Sequence, residues 1–330
     1  MSTQDGQKNG LRWTKLGRIF DPIEHQLPND CREFAQSPQV LVLPDRVRIY
    51  FSTRQVDPLN GKFLSHVAYV DMDRALSKIL TVSPKAVIPL GRLGCFDQHG
   101  IFPMHVVRDN DRILTYTCGW SRRVSVSVET AIGFAQSFDG GATFIKNGAG
   151  PIMGPCANEP FLVGDPFVNI VNGTYHMWYI FGVRWVDEPK NLPPDRVYKI
   201  AHAVSHDGLT WERTGKTIIP DVIDENECQA LPTVMRWRNR YHMYFCFRNV
   251  RGFRTEKGLG YRLGYAYSDD LVTWTRDDAR SDLALSADPA AWDSEMMCYP
   301  HLFAVDDVAY ILYNGNRFGR NGFGLARLLD

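Results

Sequence analysis

Apolar and polar residues alternate along most of this chain in short runs, and the runs recur as a set. Five stretches, "QSPQVLVL", "IFPMHVV", "GDPFVNIV", "ALPTVMRW" and "CYPHLFAV", place an apolar segment around Pro38, Pro103, Pro166, Pro232 and Pro300, at spacings of 65, 63, 66 and 68 residues. After a polar turn each is followed by an aromatic-rich run: "RIYFSTR", "ILTYTCGW", "TYHMWYIFG", "RYHMYFCFR" and "AYILYNGNR". A third run follows in each: "HVAYV", "IGFAQS", "AHAVS", "GYAYS" and "GLARL". Period-2 alternation, aromatic enrichment and glycine-bearing turns predict strands throughout, with at most one helical turn over residues 71–79.

A repeat of this length with three strands and a fourth after a tryptophan predicts four-stranded units that cover one another's apolar faces. The fold class expected is all-β, a five-bladed β-propeller forming one domain over residues 1–330, with residues 1–10 as a flexible tail. The N-terminus supports closure. "WTKLGRIFDP" repeats with Trp13, Gly17 and Pro22 the offsets of Trp211, Gly215 and Pro220, but lacks the preceding "SHDG". The chain thus starts at a fourth strand, which the last unit lacks, and sharing it would leave no sheet edge open. "SFDGGATF", "SHDGLTW" and "SDDLVTW" have the form of Asp-box turns, in which Asp accepts backbone N–H bonds and Gly supplies positive φ. These are expected to be structural.

Composition narrows the function. Lys+Arg and Asp+Glu number 37 each, which argues against a general nucleic-acid or membrane-surface binder. No signal-peptide core and no membrane-spanning apolar run is present. The seven cysteines form no CxxC pair or zinc-ligand spacing and read as reduced thiols of a cytoplasmic protein. Nothing specifies a cofactor or metal, and the oligomeric state is left open.

Candidate chemistry lies in the loops that a propeller gathers at one face. Glu33, Glu227 and Glu295 each stand five residues before their proline, Asp97 six before, and Asp165 directly before. Carboxylates in one concave site supply the acid and the base or nucleophile that glycosidic bond cleavage requires. At the ends of the second runs, Arg54, Arg248 and Arg317 recur in equivalent places, and the loop after Arg248 adds Arg251, Arg254, Lys257 and Arg262. Guanidinium forks match carboxylate and phosphate, which points to an acidic sugar, a sugar phosphate or a nucleotide sugar. His99 and His105 flank the entry of the second unit's inner strand and His301 follows Pro300, while Trp120, Trp185 and Tyr299 offer rings for sugar faces.

Together the repeated units, "GDPFV", "NECQALP" and the Asp-box turns resemble the five-bladed propeller glycoside hydrolases. That superfamily comprises arabinanases, β-xylosidases, levansucrases, invertases and β-mannoside phosphorylases. The resemblance implies three acids at the starts of inner strands: Asp165 as the orienting carboxylate, Glu227 as the general acid, and a first acid as base or nucleophile. Ser37-Pro38 stands where that first acid is expected, so Glu33 or Asp30 would have to replace it. Hydrolysis, transfer and phosphorolysis all remain open, as do two readings without catalysis: a sugar- or nucleotide-sugar-binding propeller and a protein-interaction platform. A small anionic carbohydrate as partner, for example in surface-polysaccharide assembly, is the expectation that joins these features.

Overall fold

The computed structural model describes residues 10–188 and 193–329; most of the expected N-terminal tail lies outside the described residues. The chain opens with β1 (Trp13–Phe20) and then lays down four meanders of four strands. The first is β2 (Glu33–Val42), β3 (Val47–Val56), β4 (Phe63–Met72) and β5 (Ile79–Val82). The second is β6 (Gly100–Asp109), β7 (Arg112–Arg122), β8 (Val128–Ser137) and β9 (Ile145–Lys146). The third is β10 (Val163–Val171), β11 (Thr174–Val186), β12 (Asp195–Ser205) and β13 (Glu212–Arg213). The fourth is β14 (Cys228–Trp237), β15 (Arg240–Arg248), β16 (Arg262–Ser268) and β17 (Thr275–Arg276). The last sheet has β18 (Cys298–Val305), β19 (Val308–Asn314) and β20 (Phe323–Leu328), and β1 completes it by pairing antiparallel with β20. One parallel bridge, Ser65 to Gly100, joins the first two meanders into a continuous sheet. Residues 71–79, where a helical turn was conceivable, run from β4 through a turn to β5.

The first strands pack in cyclic order: β2 on β6, β6 on β10, β10 on β14, β14 on β18, and β18 back on β2. Five apolar clusters fill the spaces between neighbouring sheets. Phe20, Phe51 and Phe323 lie between the last and first, and Tyr50, Met104 and Phe144 between the first and second. Tyr116, Met177 and Tyr179 follow, then Trp178, Phe245 and Trp274, then Trp13, Tyr244 and Tyr313. A strand with one apolar face cannot stand alone in water, so each sheet depends on both neighbours. Polar stitching reinforces the packing. Tyr50 donates to the Gly141 carbonyl at 2.6 Å and Tyr116 to the Gly208 carbonyl at 3.0 Å, tying each sheet to the Asp-box turn of the next. Within those turns, Asp139 accepts from the Thr143 N–H and Asp207 from the Leu209 and Thr210 N–H groups.

Each first strand carries a register shift beside its proline. The residue before the proline is left-handed at Ser37, Asp165, Leu231 and Tyr299, with φ between 48° and 55°; in β6 it is Phe102, joined to Pro103 by a cis peptide. None of the four is glycine, so each conformation is one that the surrounding packing must enforce. Below this level the centre is filled. His105 packs on Phe167 with centroids 4.3 Å apart, and His301 lies 6.0 and 5.8 Å from the two.

Candidate functional site

A cavity of about 760 Å³ opens above that plug. Its floor includes Phe102, Asp165 and Tyr299, three of the five pre-proline residues, because the bulges take those residues out of the alternating register. The walls come from the ends of the second strands and the loops beyond them, chiefly residues 253–261 between β15 and β16. Seven cationic residues line it (Arg54, Arg196, Arg248, Arg254, Lys257, Arg317, Arg320) against three acidic ones (Asp165, Glu256, Glu295). Phe34, Phe63, Trp120, Tyr198, Phe253, Tyr261 and Phe318 supply an aromatic lining.

Asp165 is buried, and its carboxylate accepts one backbone bond, from the Leu231 N–H at 3.2 Å. Burial pushes its pKa up to about 7, against the smaller opposing pull of the Leu231 N–H and the Arg196 charge. A carboxyl in that range keeps a substantial protonated fraction in neutral solution and can deliver a proton to a bound substrate.

Glu227 is placed quite differently. It does not line the cavity; it is fully buried beneath the fourth sheet, where Arg276 Nη1 donates to it at 2.6 Å. The Val222 and Ile223 N–H groups and Gln229 Nε2 donate at 3.0, 3.1 and 3.1 Å. A carboxylate held by four donors, one of them a buried guanidinium, has its oxygens engaged away from the cavity lining. The expected general-acid role does not fit this placement.

Glu33 also stands off the cavity wall, its two oxygens gripped by Arg320 at 2.8 and 2.9 Å. Asp97 is buried in an ion pair with Lys146, away from the cavity. The His99 ring sits 5.9 Å from that of Trp120, and its Nδ1 accepts from the Arg122 N–H at 3.2 Å. His301 belongs to the central plug, where Nε2 accepts from the Val40 N–H at 3.1 Å and burial drives its pKa well down. None of these side chains is among those that line the cavity. Trp185 lies outside the lining as well.

Arg54, Trp120, Arg248, Glu295, Arg317 and Tyr299 do line the cavity together with Asp165. Arg248 is almost wholly buried, 3.5 Å above the Phe253 ring and 3.5 Å from Asp195. Sequence reasoning passed over Arg196 and Asp195, and the aromatic wall formed by Phe34, Phe63 and Phe318. Asp195 and Arg196 begin β12, and the only sequence signal for them was an acid beside an arginine. Among the described residues no group of His, Cys, Asp and Glu is arranged to hold a metal ion, and all seven cysteines are free. No helix among the described residues is long and apolar enough to cross a membrane.

The fold is that of the propeller glycoside hydrolases. A glycoside hydrolase superposes with a TM-score of 0.70 at 16% identity, covering 95% of this chain and 91% of its own. The β-1,2-mannobiose phosphorylase from Listeria innocua, in complex with β-1,2-mannobiose, gives 0.64 at 12% identity, covering 96% of each chain. No protein-family model matches. In sequence the chain is 32% identical over 324 residues to two Mycobacterium tuberculosis proteins, covering 96% of this chain and 99% of each. They are uncharacterized protein MT1551 (strain CDC 1551 / Oshkosh) and uncharacterized protein Rv1502 (strain ATCC 25618 / H37Rv). The chain belongs to the family of these mycobacterial proteins.

Proposed function

We propose that this protein is a carbohydrate-active enzyme that cleaves or transfers a glycosyl unit of a small anionic substrate. The architecture in this reading is a five-bladed propeller whose ring is closed by β1, the arrangement favoured by the cyclic packing order and the β1–β20 pairing. One observation carries the reading: Asp165, a buried carboxyl with its pKa pushed up to about 7, forms part of the floor of a cavity walled by cations and aromatic rings.

Asp165 acts as the general acid, protonating the oxygen that leaves the anomeric carbon. Glu295, which lines the same cavity, takes the part of second carboxylate in place of Glu33. Aromatic faces hold the sugar, and the cations of the wall hold its negative group. Release of sugar or aglycone from a panel of glycosides and glycosyl phosphates tests this. Asp165→Asn is expected to lower turnover by about 100-fold or more while leaving ligand binding near wild type. Undiminished turnover in that variant would remove Asp165 from the chemistry.

A second reading, a propeller that binds a sugar or nucleotide sugar without turning it over, is favoured by the ion-paired state of Glu33 and Glu227 and by Ser37 at the first pre-proline position. Calorimetric binding across the panel with no product formed by wild type would support it.

A further inference from the structure

The cations of the cavity are not matched by acids, and the surplus is concentrated at one place. Asp195 alone serves three guanidiniums: Arg254 at 3.1 Å, Arg248 at 3.5 Å and Arg196 at 3.7 Å. Across the cavity mouth, Arg54 and Arg317 have no carboxylate within ion-pair distance among the described residues. Burial, with the like charge of Arg254, pulls the proton affinity of Arg54 below its ordinary value. The like charges of Arg54 and Arg254 in a partly desolvated wall are unfavourable by themselves and favourable around an anion.

This place is also built, not incidental. The Arg54 guanidinium lies 4.5 Å from the Phe34 ring and 5.4 Å from that of Phe63, which fixes its plane. Gln36, 1% exposed, then locks two elements together. Its Oε1 accepts from Arg54 Nε at 2.9 Å, and its Nε2 donates to the Phe318 carbonyl at 2.5 Å. That carbonyl belongs to a turn in which Arg317 and Phe318 are both left-handed, with φ 58° each. Two consecutive non-glycine residues hold this conformation only because contacts such as the Gln36 bond enforce it, and enforced strain of this kind is concentrated at ligand clamps. One buried amide thus sets Arg54 of the first sheet and the Arg317 turn of the last in a fixed relation.

We propose that Arg54, Arg317 and Arg254 form an oxyanion subsite for a phosphoryl group, positioned by Gln36. A carboxylate would bring one charge; a phosphoryl group brings close to two and three terminal oxygens, enough to serve guanidiniums approaching from different sheets. This deepens the carbohydrate reading and rests on it for the chemistry at Asp165, not for the anion itself. The phosphoryl group belongs either to the sugar substrate or to inorganic phosphate as a second reactant.

Calorimetric titration of the full chain with inorganic phosphate, glucose 1-phosphate and UDP, beside glucose and glucuronate, tests the subsite. At least one phosphate probe is expected to bind saturably and more tightly than glucuronate, with Arg54→Gln and Arg317→Gln each weakening it about tenfold or more. Binding of inorganic phosphate alone identifies a second reactant; binding confined to glucose 1-phosphate or UDP places the group on the substrate. Gln36→Leu is expected to weaken the same probe, and the loss is expected to vanish in an Arg54→Gln, Arg317→Gln background, where a general folding defect would persist. The proposal is overturned if no phosphate probe binds, if the arginine variants bind as wild type does, or if glucuronate binds as tightly. Asp165→Asn retains phosphate binding, so failure of the glycosyl chemistry and failure of the subsite are separable.

Discussion

Asp165, within β10, and Glu227, just before β14, are two acids buried in neighbouring sheets and side by side in the repeat, yet the structure gives them opposite characters. Asp165 keeps one weak backbone donor and forms part of the cavity floor; Glu227 has Arg276, two N–H groups and an amide, and does not line it. At Asp165 burial outweighs the pull of the Arg196 charge, whose guanidinium lies 3.7 Å from Asp195.

The largest effect expected from this contrast is on folding. Glu227→Leu takes the closer of two carboxylates from Arg276, 2% exposed at its side chain, leaving Asp278 at 3.0 Å, and is expected to cost up to about 3–5 kcal/mol in chemical denaturation. Adding Arg276→Met is expected to restore much of that loss. A Glu227→Leu chain as stable as wild type would break the contrast.

Asp165 is expected to behave in the reverse sense. Its folded pKa is raised to about 7 from an ordinary 3.8, so the native state favours the proton. The resulting stability is complete below about pH 4 and drains away as pH rises to about 7. Asp165→Asn cannot ionise; urea melts are expected to show it close to wild type at acid pH and more stable at pH ~8, by about 4 kcal/mol at most. A variant no more stable than wild type at that pH would place the carboxyl in a cation's field after all.

The smallest effect concerns Arg196. Its charge lowers the Asp165 pKa, so Arg196→Gln is expected to move the alkaline limb of the rate profile to higher pH, by a fraction of a unit. An unmoved limb would assign that limb to another group.

What the sequence could and could not reveal follows the same division. The all-β class, the four-stranded sheets and the partnership of β1 with β20 were legible because prolines, aromatic runs and Asp-box turns recur with a constant period, and each strand's apolar face is local information. Which side chains face the cavity was legible in part. Arg54, Arg248 and Arg317 sit at strand ends whose position follows from the repeat, and Asp165 sits on a bulge marked by its proline. The ion pairing of an acid was not legible, because the partners are remote in sequence: Arg276 for Glu227, Lys146 for Asp97, Arg320 for Glu33. Spacing locates a carboxylate along a strand; it does not say what waits across the gap.

The pairing of β1 with β20 has a consequence for how the molecule is made. β1 precedes β20 by four complete meanders, so Trp13 and its sheet stay unfinished until β20 has been synthesised. Such pairing of strands remote in sequence is slow to form and, once formed, binds β1 and β20 into one cooperative unit. A ribosome that stops early therefore releases a product with an open sheet edge, recognisable as defective by the very surface that completion would have hidden.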